Sequence, residues 1–153
     1  MRLTEYLKAE RVFLDLDSRD VESVLERMAS RVASSIPDVD PNRVLEALRA
    51  REQLHSTALG QGVAIPHATV EAVPETVLCL GIDPDGVEFG AEDGPVRIFF
   101  TLISPPGRES EHIKLLARIC RLVKHPGFID DLIACESAAE ALAVVADVDS
   151  RHI

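Results

Sequence analysis

Four apolar runs between Val63 and Ile103 constrain the fold of this chain more than any other feature, because short connections separate some of them. Val63–Ile65, Thr76–Ile82, Val87–Phe89 and Val96–Ile103 read as strands, rich in residues that fit a buried pleated surface. Asp83-Pro84-Asp85-Gly86 and Asp93-Gly94-Pro95 lie between the later runs and are built from residues that set or tolerate turn geometry. A parallel crossover takes about a dozen residues or more. These connections are too short for one, so a sheet formed from these strands is expected to be mixed.

Helical periodicity flanks the strand block at both ends. After an amphipathic start and a strand candidate at Val12–Leu16, Val21, Val24, Leu25, Met28 and Val32 recur at helical spacing behind capping candidates Asp17 and Ser18. Asp40-Pro41 supplies an N-cap and a first-turn proline for a second helix through Val44, Leu45 and Leu48 to about Glu52, followed by a loop from Gln53 to Gln61. Beyond the strands, Ser110 is the expected N-cap of a helix whose apolar face is Ile113, Leu116, Ala117, Cys120 and Val123. A short helix around Phe128–Ala134 and a last one behind the capping-box pattern Ser137-Ala138-Ala139-Glu140 complete the chain. No linker or internal repeat divides it. The expectation is a single domain over residues 1–153, an α/β sandwich with a central mixed β-sheet flanked by helices.

A chain of 153 residues buries enough surface to fold without disulfides or metals. Aromatics make up only 4% of it, so the core must be aliphatic. The formal charge of −10 argues against nucleic acid as a partner and for proteins with a basic surface. Met1-Arg2-Leu3-Thr4-Glu5-Tyr6 lacks the apolar core of a signal peptide, and no apolar run approaches the ~18 residues of a membrane span. The sequence therefore reads as a cytoplasmic protein with no direct membrane insertion. Cys79, Cys120 and Cys135 are odd in number, widely spaced and set among apolar neighbours, which reads as reduced core thiols.

The stretch Gly60-Gln61-Gly62-Val63-Ala64-Ile65-Pro66-His67 holds the first candidate for chemistry. Gly60 and Gly62 allow the backbone to turn and to approach a ligand, and Pro66 holds Ile65 extended. His67 is thus presented at a stiff strand end. Taken singly, such a histidine more often serves an ordinary strand-to-loop turn. His112 opens the third long helix, where unpaired N–H groups and the positive end of the helix dipole favour anions and a neutral imidazole. Arg51 enters the loop that leads to the glycines; its guanidinium suits phosphate oxygens, with hydroxyls from Ser56 and Thr57 and N–H groups from Gly60 and Gly62 alongside. Singly, Arg51 is more often a solvated ion-pair partner and Ser56-Thr57 more often a turn.

Other chemistries fit poorly. His55 and Ser56 are adjacent and no oxyanion-hole sequence accompanies them, so a serine nucleophile is not expected. Zinc on His67 and His112 lacks a third ligand, and no GxxxxGK[ST] run is present for ATP hydrolysis. No metal and no cofactor are expected. If phosphate is handled, it arrives already activated on another protein.

Arg51-Glu52, Ser56-Thr57, the Gly60-to-His67 stretch and Glu111-His112-Ile113-Lys114-Leu115-Leu116-Ala117 together resemble the fructose/mannitol-type enzyme IIA family of the bacterial phosphoenolpyruvate-dependent phosphotransferase system. The resemblance runs over nearly the whole chain. It implies the mannitol-type IIA fold, with His67 matching the phosphorylated histidine, His112 the second active-site histidine, and Arg51, Ser56 and Thr57 the polar edge of the site. It also implies an HPr-type phosphocarrier protein as phosphoryl donor and a IIB domain or regulatory target protein as the next partner. His55, where a glycine is common, and Ala58-Leu59, in place of Gly-Ile, depart from the family pattern and affect only the loop shape. The opening of the chain and the Glu111–Ala117 segment look most like the nitrogen-type regulatory members. The alternatives are a IIA subunit of a fructose- or mannitol-type sugar transporter and a binding module that has lost transfer.

Overall fold

The computed structural model describes residues 1–152. Two 3-10 turns lead into β1 (Val12–Phe13), and α1 (Val21–Ser34) and α2 (Pro41–Leu54) follow, packed against each other. The strand block then runs β2 (Ala58–Gly60), β3 (Val63–Ala64), β4 (His67–Thr69), β5 (Val77–Val87) and β6 (Val96–Ser104), and α3 (Glu109–Val123), α4 (Phe128–Ile133) and α5 (Ala138–Arg151) end the described chain.

The sheet is mixed, with strand order β1-β5-β6-β3-β2 and β4 also paired to β6. The short connection after β5 makes β5 and β6 antiparallel, whereas β1 is parallel to β5. Along the other edge of β6 lie two short parallel strands end to end: β3 opposite Ile98 and Phe99, then β4 opposite Leu102, Ile103 and Ser104. This arrangement carries His67 to a position opposite Leu102, near the end of the sheet from which α3 departs.

Alternation along β5 and β6 divides the core between two faces. Val77, Cys79, Phe99 and Ile103 pack with Val24, Leu25, Met28, Val32, Val44 and Leu48 of α1 and α2. Leu78, Leu80, Ile98, Phe100 and Leu102 pack with Leu115, Ile119, Leu122, Leu132 and Val145 of the three later helices. Both faces of the central strands are covered, which is why they read as unbroken apolar runs rather than as an alternating pattern. Each fully buried leucine or phenylalanine here contributes about 1.5–3 kcal/mol.

Several local expectations change. Val87–Phe89 is not a separate strand: β5 continues through Asp83-Pro84-Asp85-Gly86 as a bulge, and its register moves from Ile82↔Ile98 to Val87↔Val96. The buried Asp83 carboxylate holds this bulge by accepting the N–H groups of Ser18 and Asp85 at 3.1 and 3.2 Å. Phe89 lies beyond the strand yet is buried edge-on to Phe99, with ring centroids 5.2 Å apart. Strand pairing at Val12–Leu16 stops at Phe13, while Leu16 turns into the space that Gly81 leaves open beside Met28. Neither Asp17 nor Ser18 caps α1. Asp20 does, accepting the Ser23 N–H at 2.8 Å while Ser23 Oγ accepts the Asp20 N–H in return.

Asp40 and Pro41 open α2 as expected, with Asp40 accepting the Asn42 N–H at 2.9 Å. The region expected as loop contains β2. In α3 the capping position falls on Arg108, so Ser110 is inside the helix rather than at its cap. Ser137 caps α5 by accepting the Glu140 N–H at 3.1 Å, but Glu140 reaches back to Glu136 rather than to Ser137. All three cysteines are free; Cys79 is buried and its thiol is pushed up to about 12 by that burial, whereas Cys120 and Cys135 are only half-buried. Among the described residues no helix is long and apolar enough to cross a membrane, and no group of three His, Cys, Asp or Glu side chains is placed to hold a metal.

Candidate functional site

Pro66 separates β3 from β4 and keeps its carbonyl in the sheet, accepting the Leu102 N–H at 3.0 Å. The next residue, His67, is half-buried, and its Nδ1 lies 2.8 Å from the Ile65 carbonyl oxygen. A carbonyl only accepts, so Nδ1 carries the proton and Nε2 has the free lone pair. Arg51 gives the same answer independently: its Nε–H, which can only donate, points at His67 Nε2 from 3.2 Å. Its other arm donates to the His55 carbonyl at 2.8 Å and anchors the guanidinium at the end of α2.

His112 is the fourth residue of α3, and its ring stands 5.4 Å from that of His67, centroid to centroid, tilted by 59°. Its Nδ1 is 2.5 Å from Ser104 Oγ at the end of β6. The first turn of α3 is held in place by Glu111, whose carboxylate accepts from Thr76 at 2.5 Å and from the Tyr6 hydroxyl at 2.9 Å. Burial and the Glu111 charge push the Tyr6 hydroxyl up to about 12, and the Thr76 bond draws the Glu111 carboxyl below its ordinary value.

The two histidines and Arg51 share a cavity of about 460 Å³ between α2, β4 and α3, with Ala47, Ala50 and Leu54 completing its α2 side. The alanines leave room for a group on Nε2. At the rim Leu54 is 82% exposed, and Ile113, beside His112, is 65% exposed. Burial lowers the affinity of both imidazoles for a proton; for His67 the Ile65 bond opposes this and the Arg51 charge reinforces it, and for His112 the neighbouring His67 reinforces it. Both are neutral near neutral pH. A neutral imidazole with a free Nε2, beside a fixed guanidinium and a second imidazole, is a nucleophile matched to an anionic electrophile.

The other expected phosphate ligands face elsewhere. Ser56 Oγ donates to the Phe89 carbonyl and accepts the Ala58 N–H, both at 3.2 Å. Thr57 gives its N–H and its hydroxyl to the two oxygens of Glu52, each at 2.7 Å, which ties the end of α2 to the strand region beside Arg51. Gly60 and Gly62 take positive φ in the β2–β3 turn, and the Gly62 carbonyl accepts from Arg97 and Ile98. Those partners sit about 15 Å along β6 from Leu102, opposite His67, at ~3.3 Å per strand residue. Ser56 and Gly60 line a separate cavity of about 570 Å³ with Asp93. Glu109, Ser110 and Glu111 at the start of α3 lie outside the lining of the histidine cavity, and the His112 N–H is already used by the Arg108 carbonyl at 2.9 Å.

The sequence assigns no role to Ser104, and none to Glu52 beyond its place in the Arg51-Glu52 motif. Ser104 stands in a proline-glycine stretch that reads only as a strand end, and no local pattern predicts that its hydroxyl meets a histidine on the next helix. Glu52 follows Arg51 directly, so a role distinct from that of its neighbour has no periodic signature.

Residues 5–148 match the family model described as phosphoenolpyruvate-dependent sugar phosphotransferase system, EIIA 2. A nitrogen regulatory protein of Pseudomonas aeruginosa is 31% identical over 151 residues, covering 98% of each chain. Among solved structures, the nitrogen regulatory protein IIA-Ntr of Neisseria meningitidis superposes with a TM-score of 0.86 at 29% identity, over 94% of this chain and 98% of that one. Enzyme IIA mannitol of Escherichia coli, in its complex with phosphorylated enzyme IIB mannitol, gives 0.78 at 28% identity over 92% and 97%. With the family model spanning nearly its whole length, and with the mixed sheet flanked by helices that these structures share, the chain belongs to the EIIA type-2 family of the phosphoenolpyruvate-dependent phosphotransferase system.

Proposed function

We propose that this protein is a phosphohistidine carrier that accepts a phosphoryl group from an HPr-type phosphocarrier on Nε2 of His67. The observation that carries this reading is the fixed tautomer of His67: Nδ1–H is bound to the Ile65 carbonyl, and Nε2 faces Arg51. The Nε2 lone pair attacks phosphorus in line, the donor's P–N bond breaks, and the donor imidazole keeps that electron pair. As Nε2 bonds to phosphorus, the positive charge of the imidazole is shared with Nδ1–H and stabilised by the Ile65 carbonyl. Arg51, released from Nε2, and His112 hold the equatorial oxygens. The reaction draws on positioning and fixed charge and calls for no cofactor.

The net charge of −10 suits encounter with a basic donor surface, and the exposed Leu54 and Ile113 at the rim offer apolar contact to a docked partner. Such phosphocarriers work in the cytoplasm, and so does this protein in our reading. Similarity over nearly the whole chain to the P. aeruginosa and N. meningitidis nitrogen regulatory proteins favours a regulatory IIA whose phosphorylation state a target protein reads. A second reading, a IIA subunit that passes phosphate to a IIB protein in sugar transport, is favoured by the E. coli mannitol complex.

Incubation with phosphoenolpyruvate, enzyme I and HPr should place acid-labile label on the protein, and His67→Ala should abolish it. Normal labelling of that variant refutes the assignment. An unlabelled wild-type protein identifies a transfer-inactive binding module. Chase of label onto added IIB domains separates transport from regulation.

A further inference from the structure

Ser104 is 2% exposed, and the single hydrogen-bond partner of its Oγ among the described residues is His112 Nδ1. Two proton arrangements satisfy that contact, and they differ in what they leave behind. If Nδ1–H donated to Oγ, the serine proton would have no acceptor inside a closed part of the protein, a costly vacancy for a buried donor. If the hydroxyl donates to Nδ1, both atoms of the contact are satisfied and the imidazole proton sits on Nε2. That nitrogen has no protein partner among the described residues, and it is not among the buried atoms left without one. It lies on the side of the ring away from Ser104, in a residue that lines the cavity with His67 and Arg51.

We infer that Ser104 is a positioning residue that holds His112 as its Nε2–H tautomer, so that this N–H serves as a hydrogen-bond donor to an anion attached to His67 Nε2. The two histidines then carry opposite tautomers by construction: His67 keeps its proton on Nδ1 and offers Nε2 as nucleophile, and His112 keeps its proton on Nε2 and offers it as donor. The second half of the inference rests on the phosphohistidine reading, whereas the tautomer itself does not. Groups that face His112 are few. His67 and Arg51 line the same cavity, and Glu111, its neighbour on α3, is turned to Tyr6 and Thr76. The Ser104 bond also favours the neutral ring, because protonation of Nδ1 would force the hydroxyl to give up its acceptor.

The test is a two-bond nitrogen–proton NMR experiment on the unphosphorylated protein, followed by transfer kinetics. Wild-type His112 is expected wholly in the Nε2–H form and His67 in the Nδ1–H form. Ser104→Ala should bring back the minor Nδ1–H form of a free imidazole and raise the His112 titration midpoint by about one pH unit, the equivalent of a tenfold change. Its phosphoryl transfer from HPr should fall about tenfold, and Ser104→Thr, which keeps the hydroxyl, should recover most of the loss. An Nδ1–H signal for wild-type His112 overturns the inference, and that measurement needs no variant to fold. Unchanged titration in Ser104→Ala overturns it as well. A shifted titration with unchanged transfer overturns the donor role alone. If the tautomers are as expected and no donor labels His67, the phosphohistidine reading fails and the assignment of Ser104 stands.

Discussion

Asp149 offers the sharpest stability test, because a buried ion pair ties α5 to the helix that carries His112. The Asp149 side chain is 1% exposed and accepts Arg118 Nε at 2.7 Å, and its other oxygen accepts the Thr4 N–H at 3.3 Å. Arg118, 9% exposed, gives its remaining arms to the carbonyls of His152 and Asp149 at 2.6 and 2.8 Å. Asp149→Ala removes the carboxylate and leaves a guanidinium with two carbonyls and no counter-charge in a closed site. Loss of one partner of such a pair costs about 3–5 kcal/mol. At about 2–4 °C per kcal/mol for a chain of this size, the thermal midpoint should fall on the order of 10 °C. Circular dichroism during urea and thermal unfolding measures both. Arg118→Met combined with Asp149→Leu should recover most of the loss, since an apolar pair needs no compensation there. Asp147→Ala, which breaks the exposed Arg151–Asp147 pair on the same helix, should leave stability nearly unchanged. If Asp149→Ala and Asp147→Ala cost the same, the reasoning from burial is wrong.

Acid should weaken the fold through His67 and His112. Their unfolded value is near the ordinary 6.5, and burial holds both below it in the folded chain. The unfolded chain therefore binds more protons between those values, so the contribution is fully present above pH 6.5 and is lost as pH falls through the folded values. A His67→Gln/His112→Gln variant should show a flatter decline in unfolding free energy over this window, and an unchanged slope contradicts the burial argument. At the β5 bulge, Gly86 has φ +84°, and a Cβ there would lie 2.8 Å from Pro95 Cβ. Gly86→Ala should cost about 1–3 kcal/mol in urea unfolding, and a neutral result would mean that the bulge repacks freely.

The layered α/β sandwich was legible because its signals are local. Asp40-Pro41 announces α2, and the apolar spacing from Val21 to Val32 announces α1. Where the structure departs from these local signals, a distant partner decides. Asp83-Pro84-Asp85-Gly86 has turn chemistry, but the buried Asp83 carboxylate meets Ser18 and keeps the segment inside a long strand. Asp17 and Ser18 looked like caps, yet Ser18 is used by Asp83 and the reciprocal pair at Asp20 and Ser23 is better placed.

The site divides in the same way. Pro66 and the strand pattern before it foretell a stiffly presented His67, and the family motif pairs it with His112 and Arg51, which the fold does bring together. Gly60 and Gly62 are close to His67 in sequence, but extended chain separates rather than gathers. Thr57 belongs to a support behind Arg51, because the nearest acceptor for its hydroxyl is Glu52 one helical end away. Ser104 could be found only once β6 and α3 had been placed side by side.

The central claim is that Nε2 of His67 is the atom that takes the phosphoryl group, and its direct measurement is a phosphorus–nitrogen NMR correlation. The protein is labelled with nitrogen-15 in histidine and charged with phosphoenolpyruvate, enzyme I and HPr. One phosphoryl group is expected, bonded to Nε2 of His67, with Nδ1 still protonated and held by the Ile65 carbonyl. Phosphorus on Nδ1 of His67, or on any other residue, contradicts it.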